Sequence, residues 1–161
     1  MTQVEFKNCF DKYFDSIRNF IYYRSGDKEL ATDIAQEVFM KIWEKRDKLG
    51  IDNKGLLYKM ASDLFISKLR RTKSELEYQQ NFQFDYANAS TEEDLDFNEL
   101  KEKYEKALTR LPEKQRTVFL MSRNDSLKYH EIAEALKIST KAVEKRMKNA
   151  LAFLKSEIKE R

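Results

Sequence analysis

Four lysines, Lys141, Lys145, Lys148 and Lys155, stand in the closing stretch KAVEKRMKNALAFLKSEI. Between and beyond them run Val143, Met147, Leu151, Leu154 and Ile158. At about 100° per helical residue the lysines fall within roughly 80° of one another, and the apolar residues form a seam on the other side. Such a helix either lays its cations on nucleic acid phosphates, each neutralised phosphate releasing counterions, or is a core helix with a solvated face. Where a helix enters a DNA groove its N-terminal residues lie nearest the bases. Ser139, Thr140, Lys141, Glu144, Lys145 and Lys148 are the candidates for that contact. Lys141 has the chemistry to donate to guanine, and Glu144 to accept from a cytosine amine. Lys148 and Lys155 are placed for phosphate alone.

A second group lies in DKELATDIAQEVFMKIWEKRDKL. Asp33, Gln36, Glu37, Lys41 and Glu44 recur at three- and four-residue spacing and share a polar helix face. That face suits charged and amide hydrogen bonds to a basic partner helix; an ordinary exposed face is the alternative. Phe39 and Trp43, four apart, read as core residues or as partly interfacial ones. A third group, Lys68, Arg70, Arg71 and Lys73, is a basic tail suited to phosphate. No nucleophile–base pair, phosphate-binding glycine loop or metal cluster is legible. Cys9 is the sole cysteine, which leaves no internal disulfide and no multi-cysteine metal site. The sole histidine, His130, reads as a surface or packing residue. An enzyme is not expected, nor a cofactor or metal.

The elements that must hold these groups are helices. Only 3 Gly and 1 Pro interrupt 161 residues, which argues against an all-β chain. In VEFKNCFDKYFDSIRNFIYYR the stripe is Phe6, Phe10, Phe14, Ile17 and Ile21. In the next helix it is Ala31, Ile34, Ala35, Val38 and Ile42. In GLLYKMASDLFISKLRR it is Leu57, Ala61, Leu64 and Leu69. These three predict a small bundle. Toward the C-terminus DFNELKEKYEKALTRL precedes Pro112, which suits the start of the next helix. SLKYHEIAEALK and the lysine helix follow, separated by very few residues, with Ser139 as an N-cap. That is a helix-turn-helix pattern. Ile132, Ala133, Ala135 and Leu136 allow its two helices to approach closely.

Charge divides the chain further. Residues 1–73 hold 15 Lys and Arg against 11 Asp and Glu, a net +4. Residues 74–99 hold none against 8, a net −8, and residues 100–161 hold 16 against 9, a net +7. The fold expected is therefore all-α: two small helical domains, 1–73 and 100–161, joined by an acidic flexible linker, 74–99. Tyr78, Phe82, Phe84 and Tyr86 are unusual for a passive tether and suggest docking. No run approaches a membrane span, and MTQVEFKNCFDKYF lacks a signal-peptide pattern, so a cytoplasmic protein without membrane insertion is expected. On residues alone, a helix-turn-helix regulator with a sensing or dimerising first block, or a pure interaction protein, stays open.

Two stretches carry a family resemblance. Asp33-x-x-Gln36-Glu37-x-Phe39 resembles the core-binding helix of bacterial sigma factors. LPEKQRTVF, EIAEAL and STKAVEKRMKNAL resemble, in order, their second conserved domain. The length resembles the two-domain type, the extracytoplasmic-function (ECF, group 4) sigma factors of the sigma-70 family. The resemblance implies a protein that binds RNA polymerase core enzyme, directs it to promoters and helps open the DNA. The first domain, like sigma region 2, would grip a coiled coil on β′ through Asp33, Gln36, Glu37, Phe39, Lys41 and Trp43. It would read the minus-ten element with Asp63, Ser67, Lys68, Arg70, Arg71 and Lys73. The second, like region 4, would sit on the β flap and read the minus-thirty-five element with its last helix. An anti-sigma factor is the further partner implied. The family's third helix usually carries Asn and Asp where this chain has Asp63 and Ser67. An anion at 63 would repel phosphate or alter base recognition, and targeting by another DNA-bound protein is the alternative that follows.

Overall fold

Thr2 begins the first helix, because its hydroxyl oxygen accepts from the Glu5 N–H (3.1 Å) while the Glu5 carboxylate accepts from the Thr2 N–H (2.7 Å). This reciprocal capping box satisfies two otherwise orphaned donors. A computed structural model describes residues 1–48, 54–71 and 98–159 of the chain. They form seven helices and no strand. The chain divides into two compact units, Met1–Gln80 and Asn81–Arg161.

In the first unit α1 spans Gln3–Ser25, α2 Lys28–Glu44 and α3 Lys54–Arg71. Gly26 ends α1 in the left-handed region (φ 70°), and its N–H donates to the Tyr22 carbonyl at 2.8 Å. A side chain there would meet steric cost, which glycine avoids. Asp27 then opens α2, its carboxylate accepting from the Leu30 N–H at 3.0 Å. The three helices pack on one another as the apolar periodicity predicts. Ala31, Ile34, Ala35, Val38 and Ile42 are all buried.

Two of the three stripes differ from expectation. On α1 the buried line runs Cys9, Tyr13, Ile17, Phe20 and Ile21, whereas Phe10 is 37% exposed. Phe6, Phe10 and Phe14 instead gather on Phe39 of α2, with ring centroids 6.4, 5.2 and 5.9 Å from it. Aromatic pairs at such offset and edge geometries attract beyond their area burial. On α3 the buried residues are Leu57, Tyr58, Ala61 and Phe65; Leu64 and Leu69 are half-buried. The larger rings occupy the inner face: Phe20 meets Tyr58 edge-on at 5.1 Å. The Arg24 guanidinium lies 4.7 Å over the Phe65 ring and donates to Ser62 Oγ at 3.2 Å, holding α3 to α1.

In the second unit α4 spans Asn98–Arg110, α5 Glu113–Arg123, α6 Tyr129–Leu136 and α7 Thr140–Lys159. Pro112 is the residue just before α5 (φ −56°), a position where a missing N–H costs nothing. Its carbonyl accepts from the Arg116 N–H at 2.9 Å. The Arg116 guanidinium, buried, turns back to donate to the Leu111 carbonyl at 2.8 Å and closes the end of α4. Leu108, Leu111, Val118, Leu120, Ile132, Val143 and Ala150 form the core, each 1% exposed or less. Full burial of a Leu or Val stabilises by about 1.5–3 kcal/mol. Arg110 and Glu157 form an ion pair between α4 and α7.

Most of the expected linker, residues 74–97, lies outside the described residues, and with it Tyr78, Phe82, Phe84 and Tyr86. Its last two positions, Asn98 and Glu99, already belong to α4. No helix among the described residues is long and apolar enough to cross a membrane.

Candidate partner and nucleic-acid interfaces

The turn between α6 and α7 is built from three residues. Lys137 takes a left-handed conformation (φ 60°, ψ 45°) after the end of α6. The Ile138 N–H then donates to the Ala133 carbonyl at 3.0 Å and the Lys137 N–H to that of Glu134 at 3.4 Å. That paired pattern is a Schellman closure, which satisfies the last carbonyls of a helix. Ser139 opens α7 at once, its hydroxyl accepting from the Ala142 N–H at 3.0 Å. Ile132, Ala133 and Ala135 are buried. The helix-turn-helix read from the pattern is the observed one.

On α7 the buried line is Val143, Met147, Ala150 and Leu154. Leu151, expected in the seam, is 49% exposed. It stands roughly 80° round the helix from Val143, while Ala150 stands roughly 20° from it and lets the backbone approach. Thr140, Lys141, Glu144, Lys145, Lys148 and Lys155 are all exposed, as is Ser139. These candidates thus share one outer surface with the N-terminus of α7. His130 is exposed on α6. Among the described residues no cluster of His, Cys, Asp and Glu could hold a metal ion.

On α2 Asp33, Gln36 and Glu44 are exposed, and Glu37 and Lys41 half-buried. Glu37 is flanked by two ammonium groups, Lys41 at 3.9 Å and Lys68 of α3 at 3.6 Å. Phe39, expected to touch a partner, is 2% exposed. It supports the face from beneath, under the rings of α1. Trp43 is half-buried, 4.9 Å from Phe6, with the Arg46 guanidinium 3.9 Å over its ring. Met40, absent from the sequence-derived set, is 63% exposed in the middle of this face. Its signal was available: it stands three or four residues from Gln36, Glu37, Trp43 and Glu44.

On α3 the expected group divides. Arg70 and Arg71 are exposed and Ser67 is half-buried. Lys68 turns toward Glu37 and so joins the α2 set. Asp63 is exposed and paired with Lys59 at 2.8 Å, one helical turn back. Lys59, outside the expected group, sets a positive charge against the anion at the unusual position. Lys73 lies outside the described residues.

The same two units match known families. Residues 9–75 match the family described as sigma-70 region 2, and residues 101–154 that described as sigma-70, region 4. The chain is 28% identical to the ECF RNA polymerase sigma factor SigW of Bacillus subtilis, over 98% of this chain and 91% of that protein. It also resembles in fold the sigma factor RpoE of Bartonella quintana, solved in complex with the anti-sigma factor NepR. There the TM-score is 0.69 and the identity 23%, across 96% of each chain. With a capped three-helix unit matching region 2 and a helix-turn-helix unit matching region 4, in that order, the chain belongs to the ECF sigma factors of the sigma-70 family.

Proposed function

We propose that this chain binds RNA polymerase core enzyme through the outer face of α2, directs it to promoters, and assists their opening. The observation that carries the proposal is one chain bearing both an exposed carboxylate-and-amide face on α2 and a cationic face on a helix-turn-helix. Asp33, Gln36, Glu37 and Lys41 supply donors and acceptors for a basic coiled coil of the β′ subunit. Phe39 and the Trp43–Arg46 stack keep that face rigid. Arg70 and Arg71, and Lys73 beyond them, contact phosphate near the minus-ten element, with Asp63 and Ser67 beside the bases. The Lys59–Asp63 pair supports promoter reading by the chain itself, because it reduces repulsion between Asp63 and phosphate. In the second unit, seated on the β flap, α7 enters the minus-thirty-five element with Ser139, Thr140, Lys141 and Glu144 nearest the bases. Lys145 and Lys148 lie against the backbone.

In this reading the domains are 1–73 and 100–161, and the acidic stretch 74–99 occupies a basic channel of the polymerase until RNA displaces it. The protein works in the cytoplasm and performs no covalent chemistry. An anti-sigma factor is its inhibitory partner, as NepR is in complex with the Bartonella protein. The test is capture of purified core enzyme in the absence of DNA. The wild-type chain should retain core enzyme, and the double reversal Asp33→Lys, Glu37→Lys should lose it at unchanged helicity. Equal capture by both would remove the assignment of this face.

A further inference from the structure

We infer that Met40 is the apolar anchor of the α2 surface, inserting into a socket on a cationic face of the core enzyme. The inference rests on the reading that α2 binds core enzyme, and goes beyond it in naming what the partner must present.

Met40 is 63% exposed, in the middle of a 17-residue helix. Val4, at 68%, and Leu100, at 50%, stand in the opening turns of their helices, where exposure is common. At about 100° per residue, Glu29, Asp33, Gln36, Glu37, Trp43 and Glu44 all lie within roughly 60° of Met40 around the axis. The surface neighbours of Met40, three and four residues away, are the carboxylates of Glu37 and Glu44, the Gln36 amide and the half-buried Trp43 indole, and Asp33 and Glu29 continue the acidic line further along the same face. Lone exposed apolar residues are ordinary; one bordered by polar side chains and an indole has the layout of an interface hot spot, where a central anchor is sealed by a polar rim.

This border also selects the occupant. Glu29, Asp33, Glu37 and Glu44 face outward, against two cations that both lie beside Glu37, Lys41 of the same helix and Lys68 of α3. That excess of negative charge repels nucleic acid phosphate and attracts a basic protein surface. Methionine suits such a socket, being unbranched and polarisable and able to follow an irregular wall. The backbone beneath is held by Phe39, 2% exposed under three phenylalanine rings. Little ordering of α2 is then required on binding.

The test is equilibrium titration of purified core enzyme with the full-length protein and its Met40 variants, alongside thermal unfolding. Met40→Ala and Met40→Gln should weaken core binding about tenfold, and Met40→Leu should stay within about twofold. Unfolding temperatures should not move, since the side chain packs against little. Wild-type affinity in Met40→Ala, with Asp33→Lys, Glu37→Lys still impaired, would overturn the anchor and leave the face standing. Wild-type affinity in both overturns anchor and face together. Equal weakening by Met40→Leu and Met40→Gln also overturns it, because an apolar socket must distinguish them.

Discussion

Single residues divide here into those exposed on the proposed partner faces and those that hold these faces in place, and charge alone does not separate the two. Lys68 and Lys148 are both lysines in basic stretches. The ammonium of Lys68 lies 3.6 Å from Glu37, whereas Lys148 stands on the outer face of α7. Phosphate contacts position a protein on DNA without specifying sequence. Lys148→Ala should therefore weaken binding of DNA about equally across sequences and lower the salt slope by roughly one unit. Glu144→Ala should change which base is preferred, since removing an anion does not reduce attraction to phosphate. Titration of a promoter library at several salt concentrations reads both effects; an unaltered slope and unaltered preference would make α7 a solvated surface. The exposed candidates on α7 were legible in the sequence because an amphipathic helix has one geometry. Phe39 reads in the sequence as core or partly interfacial, and at 2% exposure under three aromatic rings of α1 it is core; only the tertiary packing decides between the two. Buried Arg116 is not legible in the sequence. Its role depends on carbonyls exposed by the end of the preceding helix, which no periodicity records.

At the scale of elements, caps and turns decide where the functional faces begin. Ser139 was readable as the cap of α7, because a hydroxyl before an amphipathic run has a local purpose. The left-handed Lys137 was not. That position commonly holds glycine, and a side chain there costs about 1–2 kcal/mol. Lys137→Gly should accordingly stabilise the protein by about 1 kcal/mol, read as a raised denaturation midpoint with an unchanged slope. A lowered midpoint would mean that the lysine side chain contributes packing that outweighs its backbone cost. The register of α2 was fully legible, with five small or branched apolar residues on one stripe. The register of α3 was legible only in part. Its sequence offers apolar residues on more than one face, and the choice of Phe65 and Tyr58 over Leu64 and Leu69 is made by Phe20 and Arg24 of α1.

For the whole molecule, two units carry complementary tasks, and the acidic stretch between their basic blocks has a charge resembling that of nucleic acid. Removing residues 80–95 should spare capture of core enzyme but impair initiation or promoter escape, measured as the ratio of full-length to abortive transcripts. A normal ratio would reduce the stretch to a spacer. The division into units, the all-α class and the helix-turn-helix were all readable, since scarce glycine, alternating charge blocks and helical periodicity are properties of the chain itself. Pairings across helices, such as Glu37 with Lys68, were not, because they depend on tertiary packing. The central claim is that this chain confers promoter selection on core polymerase. Run-off transcription with purified core enzyme and fragmented genomic DNA tests it most directly. Discrete transcripts should appear only when the chain is added, and vanish with Asp33→Lys, Glu37→Lys. Binding of duplex DNA by the chain alone, as a dimer, with no transcript dependent on it, would contradict the account.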